Sequence, residues 1–108
     1  MAERSTIEPQ DPVAAVLADL WIKRRPELVS DLSALRARLD DLVRAPKDRV
    51  HRARATALAH RLHGAFGVFG FTAVKIRIGE IETALRNGSE ITTSTVAAVE
   101  TLLRELPR

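Results

Sequence analysis

Residues 28–42 decide the fold, and they read LVSDLSALRARLDDL. Leucine recurs through this stretch at alternating spacings of four and three residues, at positions 28, 32, 35, 39 and 42. Such spacing places all the leucines on one side of an α-helix, as in the helices of a bundle. Polar and charged residues occupy most of the other positions. The stretch therefore predicts an amphipathic helix whose leucine side is buried against other helices.

Prolines separate this helix from the segments on either side of it. Pro26 suits the first turn of the leucine-rich helix, and residues 45–47 (Ala-Pro-Lys) end it. Before it, Asp11 can cap a short helix that begins at Pro12. That helix ends in the cations of residues 23–25, which suit the negative end of the helix dipole. We therefore predict a separate short helix at the N-terminal end of the domain.

Three further helices are predicted after residue 47. One runs from about Asp48 to Phe66, and Gly67–Gly70 forms a turn. Thr72 can cap the next helix, which residues 87–88 (Asn-Gly) end in a left-handed stop. The last helix has three equally suitable caps, Thr92, Thr93 and Ser94.

Together these elements predict an all-α fold. We expect an antiparallel four-helix bundle with the additional short N-terminal helix laid across it. The domain spans residues 11–108, and residues 1–10 form a flexible tail.

The composition excludes several classes of protein. The 108 residues are 45% hydrophobic and 29% charged, which is typical of one globular domain and not of a disordered chain. There is no cysteine, which excludes a disulfide scaffold and thiol chemistry. No apolar run reaches the roughly 20 residues of a membrane span, and the N-terminus does not resemble a signal peptide. We therefore expect a cytoplasmic protein that does not bind membranes.

The helix predicted at residues 48–66 has an unusual exposed side. On a helical wheel Leu62 and Phe66 mark the buried side, and His60 lies roughly opposite them. Small residues surround the histidine where Glu, Lys or Gln would be usual. Gly64 costs about 1 kcal/mol relative to alanine in a helix, and close approach by another molecule is a reason to tolerate it. The alternative is an ordinary surface histidine beside a glycine that begins helix termination.

The stretch AHRLHG at residues 59–64, with Phe69-Gly70-Phe71 after it, resembles the signature of histidine-containing phosphotransfer (HPt) domains. That signature is Ala-His-x-Leu-Lys-Gly, followed by a few small residues, an apolar residue and Gly. The resemblance covers roughly residues 13–106. It implies that His60 accepts a phosphoryl group from the phospho-aspartate of one receiver domain and passes it to another in a two-component phosphorelay. The chain lacks a Gly-rich phosphate loop, so we expect a carrier without ATP binding or kinase activity.

The resemblance also implies partners and a site. The partners are receiver domains of a hybrid histidine kinase or of response regulators, and Mg²⁺ belongs to the receiver, so this chain needs no cofactor and we expect a monomer. His63 stands where the family has lysine, and we expect His63 and Arg61 to support the phosphoryl charge. Small residues around His60 form a docking platform for the receiver, which we define as Ala53, Thr56, Ala57, Gly64 and Gly67.

Three other functions remain open. His60 and His63 share a face, but no cysteine or carboxylate completes a metal site there, and we expect His51 to be a structural histidine on the core side. A basic DNA-binding domain would suit the arginine content, yet the net charge is only +3 and the exposed side around His60 presents Ala, Thr and Gly instead of base-reading residues. A non-transferring relative that docks on a receiver or kinase and inhibits it would share the fold, and the missing lysine leaves that possibility open.

Overall fold

The structure, a computed structural model, describes residues 12–108, and this part of the chain consists of four α-helices joined by short loops. The helices are α1 (Pro12–Arg44), α2 (Arg49–Val68), α3 (Thr72–Arg86) and α4 (Thr93–Glu105). α1 packs against α2 and α4, and α2 also packs against α3. The predicted all-α helical bundle is confirmed. The predicted tail at residues 1–10 and the cap at Asp11 lie outside the described residues.

α1 is one continuous helix, so the prediction of a separate short N-terminal helix is wrong. Pro26 lies inside α1, where it removes the backbone hydrogen bond to the carbonyl of Ile22. Ile22 is 67% exposed, so water can bind that carbonyl instead. On the other side of α1 the Trp21 ring packs in a cluster of aromatic rings with Phe66, Phe69 and Phe71. These contacts hold the residues before Pro26 in line with the rest of the helix.

The leucine side of α1 forms the centre of the core, as its spacing predicts. The five leucines of residues 28–42 are at most 1% exposed. They pack with four residues of α2 that are 0% exposed and with apolar residues of α3 and α4. Burying one such side chain contributes about 1.5–3 kcal/mol to folding. The buried residues of α2 are Ala55, Ala59, Leu62 and Phe66.

The loop between α1 and α2 is fixed by a cap. The Asp48 carboxylate accepts a hydrogen bond from the backbone N–H of His51 at 2.9 Å. That hydrogen bond is the largest cause that lowers the pKa of Asp48 below its usual value. An ionised N-cap carboxylate also suits the positive end of the helix dipole. The start of α2 agrees with the sequence prediction.

α2 and α3 end in the same backbone motif. Gly70 and Gly88 have φ of 75° and 73°, a left-handed conformation that glycine adopts without strain. α2 continues to Val68, two residues beyond its predicted end, so the first two residues of the predicted turn at Gly67–Gly70 are helical. The bonds that close the two Schellman motifs run from Phe71 N–H to Phe66 O and from Ser89 N–H to Ala84 O.

The N-terminal ends of α3 and α4 have no side-chain cap hydrogen bond. Phe71, and not Thr72, is the N-cap residue of α3, and it makes no side-chain cap hydrogen bond. Thr92 is the N-cap residue of α4, again without a side-chain bond, which decides among the three predicted caps. Of the helices in residues 12–108, none is both long and apolar enough to cross a membrane.

Candidate functional site

His60 stands on the solvent side of α2, with 70% of its side chain exposed. The opposite side of α2 carries the fully buried Ala59, Leu62 and Phe66. Because burial of these residues fixes how α2 is rotated in the bundle, it also fixes which side of the helix faces water. The predicted exposure of His60 therefore follows from the packing of the core.

One ring nitrogen of His60 is bound by a carboxylate of α3. His60 Nδ1 lies 3.0 Å from Oε2 of Glu82. An ionised carboxylate only accepts hydrogen bonds, so in this pair Nδ1 carries the proton. In a neutral imidazole the other nitrogen, Nε2, then has a free lone pair. The bond thus selects the tautomer that leaves Nε2 available to react.

Glu82 is itself held in place. Its side chain is 13% exposed, and its Oε2 accepts hydrogen bonds from Arg86 Nε at 2.9 Å and Arg86 Nη2 at 2.7 Å. Burial raises the pKa of Glu82, but the hydrogen bonds from Arg86 and His60 outweigh it and bring the pKa below its usual value. Glu82 is therefore ionised at neutral pH and accepts from Nδ1 of His60.

Residues of α2 and α3 that face each other across the groove between the two helices follow one register. Each facing pair lies the same number of sequence positions before and after residue 71. A Cβ atom on Gly79 would lie 3.1 Å from Cδ2 of His63, and one on Gly67 would lie 3.3 Å from Cδ of Lys75. Each glycine therefore gives room to a side chain of the opposite helix. The facing pairs are His60 with Glu82, His63 with Gly79, and Gly67 with Lys75.

Four of the five platform residues lie together around His60. Ala53, Ala57 and Gly64 are exposed, and a Cβ atom on Gly64 would meet nothing within 4 Å. Thr56 is half-buried, and its hydroxyl donates to a backbone carbonyl one turn earlier at 2.8 Å. A partner could approach the backbone of α2 closely over this area. Gly67, the fifth residue, is half-buried because Lys75 covers it.

The two residues predicted to support the phosphoryl charge lie on different flanks of α2. His63 faces α3, where its ring rests against Gly79. Arg61 faces α1, where its Nη2 lies 3.4 Å from Oδ2 of Asp31. His60 bonds to α3, so the structure brings His63 to the same flank as the His60 ring and turns Arg61 to the other.

His51 lies away from this site, as predicted. Its ring is half-buried, with Nδ1 3.0 Å from Arg38 Nη1 and 3.8 Å from the Asp41 carboxylate. These contacts link the start of α2 to α1, which is a structural role. Within residues 12–108, no group of three or more His, Cys, Asp or Glu side chains is placed to hold a metal ion.

Glu82 and Arg86 are functional candidates that the sequence analysis missed. They lie 22 and 26 positions after His60, so no local motif links them to it. The symmetry of a helical hairpin could have indicated Glu82. In such a hairpin the residue that faces His60 lies as many positions after the turn as His60 lies before it.

The described residues thus form a four-helix bundle that exposes His60 among small residues, with one ring nitrogen held by a carboxylate. The family model of the Hpt domain matches residues 22–108. The chain belongs to this family, the histidine phosphotransfer domains of two-component systems, whose members interact with receiver domains in phosphorelays. No curated protein and no solved structure matches the chain. Residues 12–21 of α1 lie outside the family match.

Proposed function

We propose that His60 is the residue that carries the phosphoryl group in this Hpt domain. It accepts the group from the phospho-aspartate of one receiver domain and passes it to the aspartate of another. The observation that carries the proposal is the exposed His60 ring whose Nδ1 is bound by Glu82 at 3.0 Å, which leaves Nε2 free to react.

The transfer step needs only an imidazole nucleophile from this chain. The lone pair of Nε2 of His60 attacks phosphorus, the N–P bond forms, and the P–O bond to the aspartate of the receiver breaks with its electron pair returning to the carboxylate. The ring gains positive charge, since the proton stays on Nδ1, and the anionic Glu82 stabilises that charge. When a second receiver aspartate attacks phosphorus, the N–P bond breaks and the ring becomes neutral again. Such transfer passes through a loose in-line transition state, so positioning and charge stabilisation account for most of the catalysis.

The other requirements belong to the partner. In this proposal the receiver supplies Mg²⁺ and the acidic pocket that His60 enters. The chain acts in the cytoplasm as a monomer, and without ATP or nucleic acid. The exposed Ala53, Ala57 and Gly64 support the proposal that a receiver docks directly over the backbone of α2. His63 supports the phosphoryl charge from the α3 flank of the site.

The test exposes the protein to a panel of receiver domains that carry labelled phosphate on aspartate. We expect the wild-type chain to acquire an acid-labile, base-stable label, and the variant His60→Gln to acquire none. His51→Gln is the matched control, because His51 lies outside the site, and it should be labelled like the wild type. Circular dichroism should show the His60→Gln variant folded, since the side chain is largely exposed. A labelled His60→Gln variant would overturn the assignment, and receiver binding without any label would favour a non-transferring docking protein.

A further inference from the structure

Three arginines border the docking platform on its α3 flank. Arg49 and Arg52 lie at the start of α2, and Arg86 lies at the end of α3. We call them the arginine cluster. With the platform residues Ala53, Thr56 and Ala57 they line one open depression of about 630 Å³.

Two members of the cluster are held in position by hydrogen bonds. Arg52 donates from Nη1 to the Leu85 carbonyl at 3.0 Å and from Nη2 to the Ser89 carbonyl at 3.1 Å. Arg86 donates to the carboxylate of Glu82. In the part of the chain that the structure describes, no carboxylate forms an ion pair with Arg49 or Arg52. Arg49 and Arg52 therefore present positive charge beside the platform that no described carboxylate pairs with, whereas Arg86 is paired with Glu82.

The position of Arg49 is unfavourable for α2 itself. The first turn of α2 contains no acidic residue, although negative charge is what the positive N-terminal end of a helix dipole favours. Residues that contradict a local stability rule are candidates for a role in binding. Arg52 has a role within the chain, because its guanidinium bonds carbonyls at the end of α3. Arg49 has no such partner among the described residues, so its charge is better explained by what it meets outside the chain.

We propose that the arginine cluster binds a group of carboxylates on the docking receiver, outside the pocket that His60 enters, and so selects acidic receivers. The inference rests on the proposed function, because a receiver seated over His60 and Ala57 also covers the depression. Complementary charge at the rim of an interface mainly accelerates association and rejects partners of the wrong sign. The fixed guanidinium groups of Arg52 and Arg86 lose little side-chain freedom when they bind.

The experiment compares Arg49→Glu with Arg54→Glu, using the receiver from the panel that labels the wild type fastest. Both arginines are exposed on α2, and both variants change the net charge equally, but Arg54 does not line the depression. Glutamate at position 49 suits the helix dipole, so a loss of transfer by Arg49→Glu would not reflect unfolding. Second-order transfer rates are measured at salt concentrations from about 20 mM to about 500 mM, since salt screens exposed charges.

We expect Arg49→Glu to slow second-order transfer about tenfold at low salt, with the difference shrinking at high salt and the rate at saturating receiver unchanged. Arg54→Glu should transfer like the wild type. Equal rates for Arg49→Glu and wild type, or equal slowing by both variants, would overturn the inference while label on His60 still supported the proposed function. Salt-sensitive DNA retention that Arg49→Glu abolishes, with receiver transfer unchanged, would also overturn it. If no receiver labels the wild type, the proposed function fails and the inference fails with it.

Discussion

On its buried side α2 carries Ala55 and Ala59, and on its exposed side it carries Ala53 and Ala57. The buried pair is 0% exposed, and there the small side chain sets how closely α2 packs on its neighbours. The exposed pair lines the area beside His60, and there the small side chain leaves the backbone open to a partner. The same residue type thus serves packing on one side and, in the proposed function, receiver docking on the other. Experiments that alter one side of α2 at a time should separate the effects on stability from the effects on docking.

The largest effect should come from the buried side. Phe66→Ala removes a fully buried ring and should lower the free energy of unfolding by about 3–5 kcal/mol. Val68→Ala, two residues later and 64% exposed, is the matched control and should change it by less than about 0.5 kcal/mol. Urea denaturation followed by circular dichroism measures both. Similar losses for the two variants would show that the two sides do not differ as described.

Enlarging one alanine on each side should separate folding from docking. Ala57→Trp should leave the free energy of unfolding nearly unchanged and slow phosphoryl transfer about a hundredfold, because the bulk keeps the receiver off the platform. Ala59→Trp should destabilise the fold, since the core has no space for an indole. Transfer kinetics and denaturation are measured for both variants. A normal rate for a folded Ala57→Trp variant would remove the platform from the docking surface.

Removing the charge that holds His60 should have a smaller effect. Glu82→Gln should slow labelling of His60 roughly fivefold, because a neutral amide replaces a charge-assisted hydrogen bond. Glu80→Gln, an exposed position of α3, is the control and should leave the rate unchanged.

The same pair of variants gives a pH dependence. Because the fold lowers the pKa of Glu82, its stabilising effect is complete above the ordinary carboxyl pKa and is lost as the pH falls through the lowered value. Glu82→Gln should therefore lose less stability on acidification than Glu80→Gln does. Parallel acid titrations of the two variants would contradict the hydrogen-bonded role of Glu82.

The smallest effect is expected at the family's lysine position. His63→Lys should lengthen the lifetime of the phosphorylated state by about twofold, since an exposed charge pair is worth well under 1 kcal/mol. His63→Gln, which adds no charge, is the control. The decay of label after removal of the receiver measures both. Equal lifetimes would show that position 63 has no electrostatic role.

The core of the fold was predictable because it depends on local periodicity. The leucine spacing of residues 28–42 and the predicted start of a helix at about Asp48 both agree with the structure. Whether the helix breaks at Pro26 depends on tertiary packing instead, since the ring contacts of Trp21 hold the residues before Pro26 in one continuous α1. The rule that proline ends a helix considers only the local sequence and does not include such tertiary contacts.

The site was predictable only where it depends on one helix. The exposure of His60 and its small neighbours follows from the wheel of α2. The position of Glu82 opposite His60 depends on the register between α2 and α3. A small error in the predicted position of the turn shifts that register. A hairpin centred on the predicted turn at Gly67–Gly70 would place Arg77 opposite His60, whereas the observed centre at residue 71 places Glu82 there.

α4 packs on α1, on the other side of the bundle from α2 and its histidine. These 108 residues contain no cysteine, so a cysteine introduced on this helix would be the single thiol among them. Arg104 is exposed there and, within residues 12–108, its side chain bonds to Thr101 on its own helix. An Arg104→Cys variant could therefore carry a dye or be anchored to a sensor surface in one uniform orientation, with the imidazole pointing into the solution for every molecule.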